Sequence, residues 1–595
     1  MTSASIGVPA DRPATLDLAR RLKDPALLLL PALVFLSFIY LLPLIDLVRI
    51  SVSGPSWSSY FERVFAIPLY WDSLVRTMQI SVTVAGLCLL FGYPTALLIH
   101  RSRGIAQILI ATAIVLPYFI AILIRTYAWM VLLGRNGPVN KLLVSLGILS
   151  EPVQLLFNRG TVLLGMTAVL LPLMVLTIYS SVARLDQSLP RAALASGAGP
   201  IAAFWRVSFP LTLPGIGAGF LLVFVAAIGF FITPTLLGGP GDQMFAMHIT
   251  QQADSVTSEG FLQALGVVLL TITLAVVAVA GRFLGFEFIW GGRKLTKTAP
   301  ITTDRYARAG HRGLGASAAD LIGWPILRLF GRLPASCGTW SVRVMGGMVI
   351  GILILPIIVV MIISFSNASY LTFPPPGFSL RWYEQFFSDS NWMRAFWTSL
   401  IVAAMSAGIA IVLGASAALG IVRSSIRGKS AIMLLLVSPI IVPPVVLGLS
   451  LYSLFLRFDL VGSIFGLAAA HAIGGLPIVV VILSASLQGV DTRLEQAASV
   501  HGASVLTVFR LVTLPAIMPG LAAATFFAFL HSFDELVLTL FLSSAQLKTL
   551  PLMLWGDINY RLNPVLAVVS TLEVLLVVAG LVLARPVLAT SRKAA

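Results

Sequence analysis

Apolar residues run through this chain in long blocks, and short clusters of arginine, lysine, glycine or proline close each block. A block of about 20 apolar residues spans a bilayer as a helix, because a helix satisfies its own backbone hydrogen bonds where water is absent. Six blocks are predicted in the first half, near residues 25–48, 74–99, 106–133, 160–182, 214–237 and 261–284. Six more follow, near 343–364, 395–421, 430–456, 463–487, 519–541 and 564–585. The expected fold is an all-α membrane protein of about 12 transmembrane helices, built as two tandem six-helix modules. Basic residues gather before the first block (Arg20, Arg21, Lys23), after the second (Arg101, Arg103), after the eighth (Arg423, Arg427, Lys429) and at the end (Arg592, Lys593). Such clusters stay in the cytoplasm, so both termini are expected inside. The domain order follows: a cytoplasmic tail over 1–24, a module over 25–285, a basic linker over 286–340, a second module over 341–588 and a tail over 589–595.

One polar interruption occurs twice. Asp186 to Gly215 and Asp491 to Gly520 align without a gap at an offset of 305, and the register extends back to Leu171–Pro172 on Leu476–Pro477. Asp186/Asp491, Ala192–Ala193/Ala497–Ala498, Gly197/Gly502, Phe204/Phe509 and Pro210/Pro515 coincide. The chain thus carries two copies of one module. Within each copy, a short helix-compatible stretch with small alanines lets another surface approach closely, and the glycine frees the backbone for a tight turn. A second short helix is expected up to Pro210, with Pro210 and Pro214 separating this element from the next span.

Composition fixes the environment. A mean hydropathy of +0.97, with 58% hydrophobic and 10% charged residues, lies far from the soluble average. The net charge of +16 is dispersed over loops beside the spans, so topology and anionic headgroups explain it and nucleic acid is not an expected partner. Cys88 falls inside a span and Cys337 in an inner loop, so no disulfide framework is expected. No histidine spacing points to a metal site. The linker segment Ala319 to Leu333 mixes Leu, Ile, Trp and Phe with Arg, which predicts either an interfacial helix or a plain tether.

These residues resemble the EAA loop of bacterial ABC-importer permeases, whose pattern is Glu-Ala-Ala, three residues, Gly, nine residues, then Ile-x-Leu-Pro. Ala192, Ala193, Gly197, Val207, Phe209 and Pro210 fill those slots in the first copy, and Ala497, Ala498, Gly502, Val512, Leu514 and Pro515 in the second. The glutamate slot departs from the pattern, holding Arg191 in one copy and Gln496 in the other, with Glu495 one position early. The string from Leu123 to Asn140 resembles the first permease subunit of spermidine/putrescine importers, and Phe533 to Phe541 resembles the second. The resemblance implies a bacterial inner-membrane permease with both subunits joined head to tail. It implies two ATPase subunits on the repeated loops, using ATP and Mg, and an extracytoplasmic (periplasmic) binding protein that delivers a polyamine or related amino compound. Ferric-iron and thiamine importers also contain fused permeases and stand as alternatives.

No catalytic residue or bound cofactor is expected of this chain itself. Arg427-Gly428-Lys429-Ser430 ends like a phosphate-binding loop, but Arg423 occupies the place of its first glycine and no strand precedes it. Ionisable groups inside spans mark function or a buried partner. His531, Asp534 and Glu535, at i, i+3 and i+4, are expected on one helical face, where two carboxylates favour a cation or pair with a basic group such as Arg125. The same positions in the first half are Gly229 and Phe230. Tyr127 and Trp129, beside Arg125, are either interfacial anchors or ring faces for a cation. The alternative of another class is a proton-coupled secondary transporter, also of twelve spans, which needs no repeated surface loop.

Overall fold

The computed structural model describes residues 25–253, 258–284, 335–370, 372–560 and 563–590. Their regular structure is helical, and the β-bridge between Ser366 and Phe378 is an isolated one among the described residues. The N-terminal tail and the amphipathic stretch Ala319 to Leu333 lie outside the described residues. Continuous spanning helices cover Pro25–Ser51, Pro68–Arg101, Arg159–Ala183, Pro200–Ile228 and Glu259–Arg282 in the first half. Gly338–Ile363, Ser390–Arg423, Ile464–Gln488 and Val505–Phe533 follow in the second, and Val565–Thr590 closes the module. Cys337, expected in a loop, falls in the first turn of the helix Ala335–Ile363.

Two spans expected as single helices are broken. The block over 106–133 is Gly104–Tyr118 followed by a helix from Ile122, bent by 99°, and that over 430–456 is Lys429–Ile440 followed by Pro444–Arg457, bent by 92°. Pro117 removes a helical hydrogen bond just before the first break, and Pro443 with Pro444 removes two at the second. Hydropathy is blind to such bends, because the residues on both sides stay apolar.

The modules superpose in their element order but not at one constant offset. Pro68–Arg101 and Ser390–Arg423 are both 34 residues long at an offset of 322, whereas Arg159–Ala183 and Ile464–Gln488 are both 25 residues long at an offset of 305. The difference of 17 residues lies between the third and fourth spans, where the first half adds the helix Pro138–Ser145. Its Lys141 Nζ donates to the Phe373 carbonyl of the other module at 2.7 Å.

The first span of each module packs on the opposite module. Pro25–Ser51 runs against Ser390–Arg423 and Pro444–Arg457, and Ala335–Ile363 against Pro68–Arg101. Glycines permit the close approach: a Cβ on Gly420 would stand 2.7 Å from Leu29 Cγ, and one on Gly346 would collide with Leu98. An ion pair between Arg457 and Asp46, at 2.8 Å, also joins the modules.

Candidate functional site

The repeated loops have one construction. The Asp186 carboxylate accepts the backbone N–H of Ser188 at 2.9 Å, and Asp491 that of Arg493 at 2.9 Å, so each aspartate orders the start of its loop helix. The Ser188 amide holds the exposed Asp186 carboxyl below its usual range. The helices Ser188–Ala195 and Thr492–Val500 follow, and neither has a buried residue. Gly197 and Gly502 end them at φ +86° and +85°. The next amides reach back five residues, Ala198 N–H to Ala193 O at 3.0 Å and Ala503 N–H to Ala498 O at 3.1 Å, which closes a Schellman turn.

Ala192, Gln496 and Ala497 are exposed, while Ala193 and Ala498 are half-buried beneath them. Leu189 and Leu194 in the first loop, and Leu494, Val500, Val505 and Leu506 in the second, present apolar side chains to the outside. Such clusters beside small residues suit a protein partner. Each loop leads directly into the fifth span of its own module, so the two loops hold equivalent places in the repeat.

The prolines do not detach the loop from the span, contrary to the sequence expectation. Pro200–Ile228 and Val505–Phe533 are each one continuous helix, 29 residues long, from the loop surface into the membrane. A π-helical turn at Phe204–Ser208, and again at Phe509–Thr513, precedes Pro210 and Pro515. The wider turn routes the Phe209 N–H to Phe204 O and accommodates the missing proline donor. Phe204 packs edge-on against Tyr93 at 5.8 Å, and the Tyr93 hydroxyl meets Thr212 Oγ1 at 3.1 Å. The second loop is anchored otherwise: Glu495 accepts from Arg423 Nη2 at 2.8 Å and Thr513 Oγ1 at 2.7 Å. At the matching offsets the first half has Pro190, Arg101 and Ser208, so this anchor is not repeated.

Inside the membrane, the expected helical face of His531, Asp534 and Glu535 does not form. The helix ends at Phe533, Asp534 caps it, and Glu535 lies in an unwound segment before Val537–Leu542. Glu535 Oε1 accepts the Leu538 N–H at 3.1 Å and so starts that short helix. His531 lies against Gly474, where any Cβ would strike its ring. The fully buried His471 bridges the interruption, with Nδ1 2.9 Å from Ser532 Oγ and Nε2 3.2 Å from Thr539 Oγ1. Arg125 is buried, donates from Nη1 to the Val169 carbonyl at 3.0 Å, and lies within electrostatic reach of Asp534 and Glu573. Tyr127 and Trp129 are buried in the first module's core. Glu573 was not singled out by the sequence reading. Its Oε1 accepts the Ala121 N–H of the first module at 2.8 Å.

A cavity of about 160 Å³ opens between the modules. Phe231, Thr235, Met247, Thr250, Gln251 and Ala253 line it from the first half, and Leu540, Phe541 and Trp555 from the second. Thr235 faces Leu540 and Thr250 faces Trp555 in the sense of the repeat, each pair at the offset of 305. The cavity therefore lies on the axis relating the halves, with a hydroxyl and amide side and an aromatic side. Phe231 and Trp555 meet edge-on across it at 5.6 Å, and the stacked pair Phe119 and Phe527, at 4.7 Å, joins the halves elsewhere.

Two helical modules around a shared cavity, with 9 to 11 candidate spans among the described residues and a matched exposed loop in each module, define a multi-pass transport component. A family profile described as binding-protein-dependent transport system inner membrane component matches residues 88–284 and again 410–585, and the chain belongs to that family. It is a fused ABC-importer permease of the inner membrane, and this membership displaces the secondary-transporter alternative. The spermidine/putrescine transport system permease protein PotB of Haemophilus influenzae is 35% identical over 213 residues, 34% of this chain and 74% of the relative. PotB of Escherichia coli is 33% identical over 190 residues, 31% of this chain and 69% of its own length. The putrescine transport system permease protein PotI of Escherichia coli is 34% identical over 224 residues, 36% of this chain and 79% of that protein. The PotB and PotI similarities fall on different halves. A solved bacterial alginate ABC transporter, in complex with its alginate-bound periplasmic protein, aligns at a TM-score of 0.39 and 20% identity, covering 48% of this chain and 97% of that one.

Proposed function

We propose that this chain forms the whole membrane pathway of an importer for a polyamine or related cationic amino compound, with both termini and the linker in the cytoplasm. Two separate ATPase subunits grip Ser188–Ala195 and Thr492–Val500, and they alone bind ATP and Mg. A binding protein delivers the solute to the opposite face. When the ATPase pair closes, the loops approach one another, and the unbroken helices behind them carry that motion to the interruptions at 229–231 and 534–536. The rocking of the two modules opens the shared cavity outward, and hydrolysis resets it. Modules of 25–285 and 341–588 are the moving bodies.

The observation that carries the solute class is the division of likeness, PotB on one half and PotI on the other. The cavity supports it chemically. The faces of Phe231, Phe541 and Trp555 attract ammonium groups, while Thr235, Thr250 and Gln251 accept their hydrogen bonds. The test is reconstitution in liposomes with ATPase and binding-protein subunits. ATP-dependent uptake of labelled putrescine is expected, reduced on Trp555→Ala with assembly intact. Uptake of thiamine or ferric iron in its place would replace the solute, and uptake by the chain alone under a proton gradient would overturn the energy source.

A further inference from the structure

Each module interrupts its third span, at 119–121 and 441–443, and its fifth, at 229–231 and 534–536. These interruptions meet across the two modules. Asp534 comes against Ile122, and in the mirrored place Gly229 comes against Pro443 and Pro444. An interrupted helix leaves N–H groups bare at the start of its continuing segment, and inside a membrane those groups need acceptors. At the first junction the Ala121 N–H donates to Glu573 Oε1 at 2.8 Å, and the next amide, that of Ile122, faces the Asp534 carboxylate. At the offset of 322 these two positions are Pro443 and Pro444, which have no N–H to satisfy. At the offset of 305 Asp534 becomes Gly229 and Glu573 becomes Val268. At these positions the exchange is matched: the Ala121 amide is bonded to Glu573 and the Ile122 amide lies beside Asp534 at one junction, while two prolines stand against a glycine at the other. A side chain at Gly229 would be tight as well, since its Cβ would stand 3.0 Å from Pro443 Cβ.

We infer that Asp534 and Glu573 are positioning residues, whose partners are the bare backbone amides of the opposite module's broken span and not the transported cation. They cap the twelve-residue helix Ile122–Leu133 and key the fifth and last spans of the second module to it. Arg125, one turn into that helix and bonded to the Val169 carbonyl, supplies positive charge where two carboxylates crowd together. Glu535 is engaged with the Leu538 amide, so the acidic residues of this region serve backbone donors. The assignment does not depend on which solute is carried.

The reciprocal exchange can be built. Melting of the purified full-length chain in nanodiscs is measured beside putrescine uptake by the reconstituted complex. Asp534→Asn keeps an acceptor for the Ile122 amide, and both readouts are expected near the parent values. Asp534→Gly removes the acceptor, and a lower melting point than that of Asp534→Asn, with a loss of uptake, is expected. Adding Ile122→Pro, which copies the other junction, restores both. Loss of uptake in Asp534→Asn at an unchanged melting point would make the carboxylate a cargo ligand and overturn the inference. So would equal destabilisation by Asn and Gly, a comparison that holds even where the proline variant does not assemble. Should the parent complex carry no putrescine, the melting series still decides the matter.

Discussion

Single residues separate the two loops more than their shared pattern suggests. Glu495 joins Arg423 and Thr513, all three largely shielded, whereas the first loop meets its second span through the exposed pair Gln187 and His100, at 3.1 Å. Glu495→Ala leaves two donors unpaired, which costs about 1–2 kcal/mol. The expected outcome is faster amide exchange over Thr492–Val500 and none over Ser188–Ala195, read by hydrogen-exchange mass spectrometry. Much of this scale was legible in the chain. Asp186, Gly197 and their repeats carry local hydrogen bonds and a left-handed turn, which depend on near neighbours in sequence. Asp534 stood out as a charge in an apolar run, but its partner amides belong to the other module, and Ala121 and Glu573 are 452 positions apart. Glu573 carried the same signal, a lone carboxylate between Leu572 and Val574, and the rule that flagged Asp534 applies to it equally.

At the scale of elements, the continuous helices from loop to membrane centre decide how force is transmitted. A rod passes displacement on, whereas a hinge at the prolines would absorb it. Inserting two glycines between Ser208 and Phe209 interrupts the first rod just before Pro210. The loop surface is untouched, so co-purification with the ATPase subunits is expected to persist, while ATP hydrolysis continues with little uptake. Sequence reasoning placed a break at Pro210 because a proline inside a helix loses a hydrogen bond and clashes with the preceding turn. The π-helical turn relieves that conflict by widening the backbone, and no residue type announces it. The broken third and ninth spans were missed for the opposite reason. Pro117 and Pro443–Pro444 marked them plainly, yet the length of the apolar blocks argued for one helix each.

Across the whole molecule, the two-module plan and the tandem repeat were written in the chain, since apolar length and a gapless match need no tertiary information. The exchange of first spans was not, because Leu29 against Gly420 and Gly346 against Leu98 are pairings that only folding reveals. That exchange makes a prediction about a severed protein. Two polypeptides, one ending and the other starting between residues 286 and 334, are expected to co-elute in detergent when made together, and the first to be degraded when made alone, as followed by epitope tags. Each half lends the other an arm, so the peptide join is not what keeps them together. It sets the supply: a ribosome that finishes one half has already committed to the other, in equal number and at the same place in the membrane. Two halves that never meet a stranger are free to drift apart in chemistry, carboxylate on one side and proline on the other, provided each drift is answered across the seam.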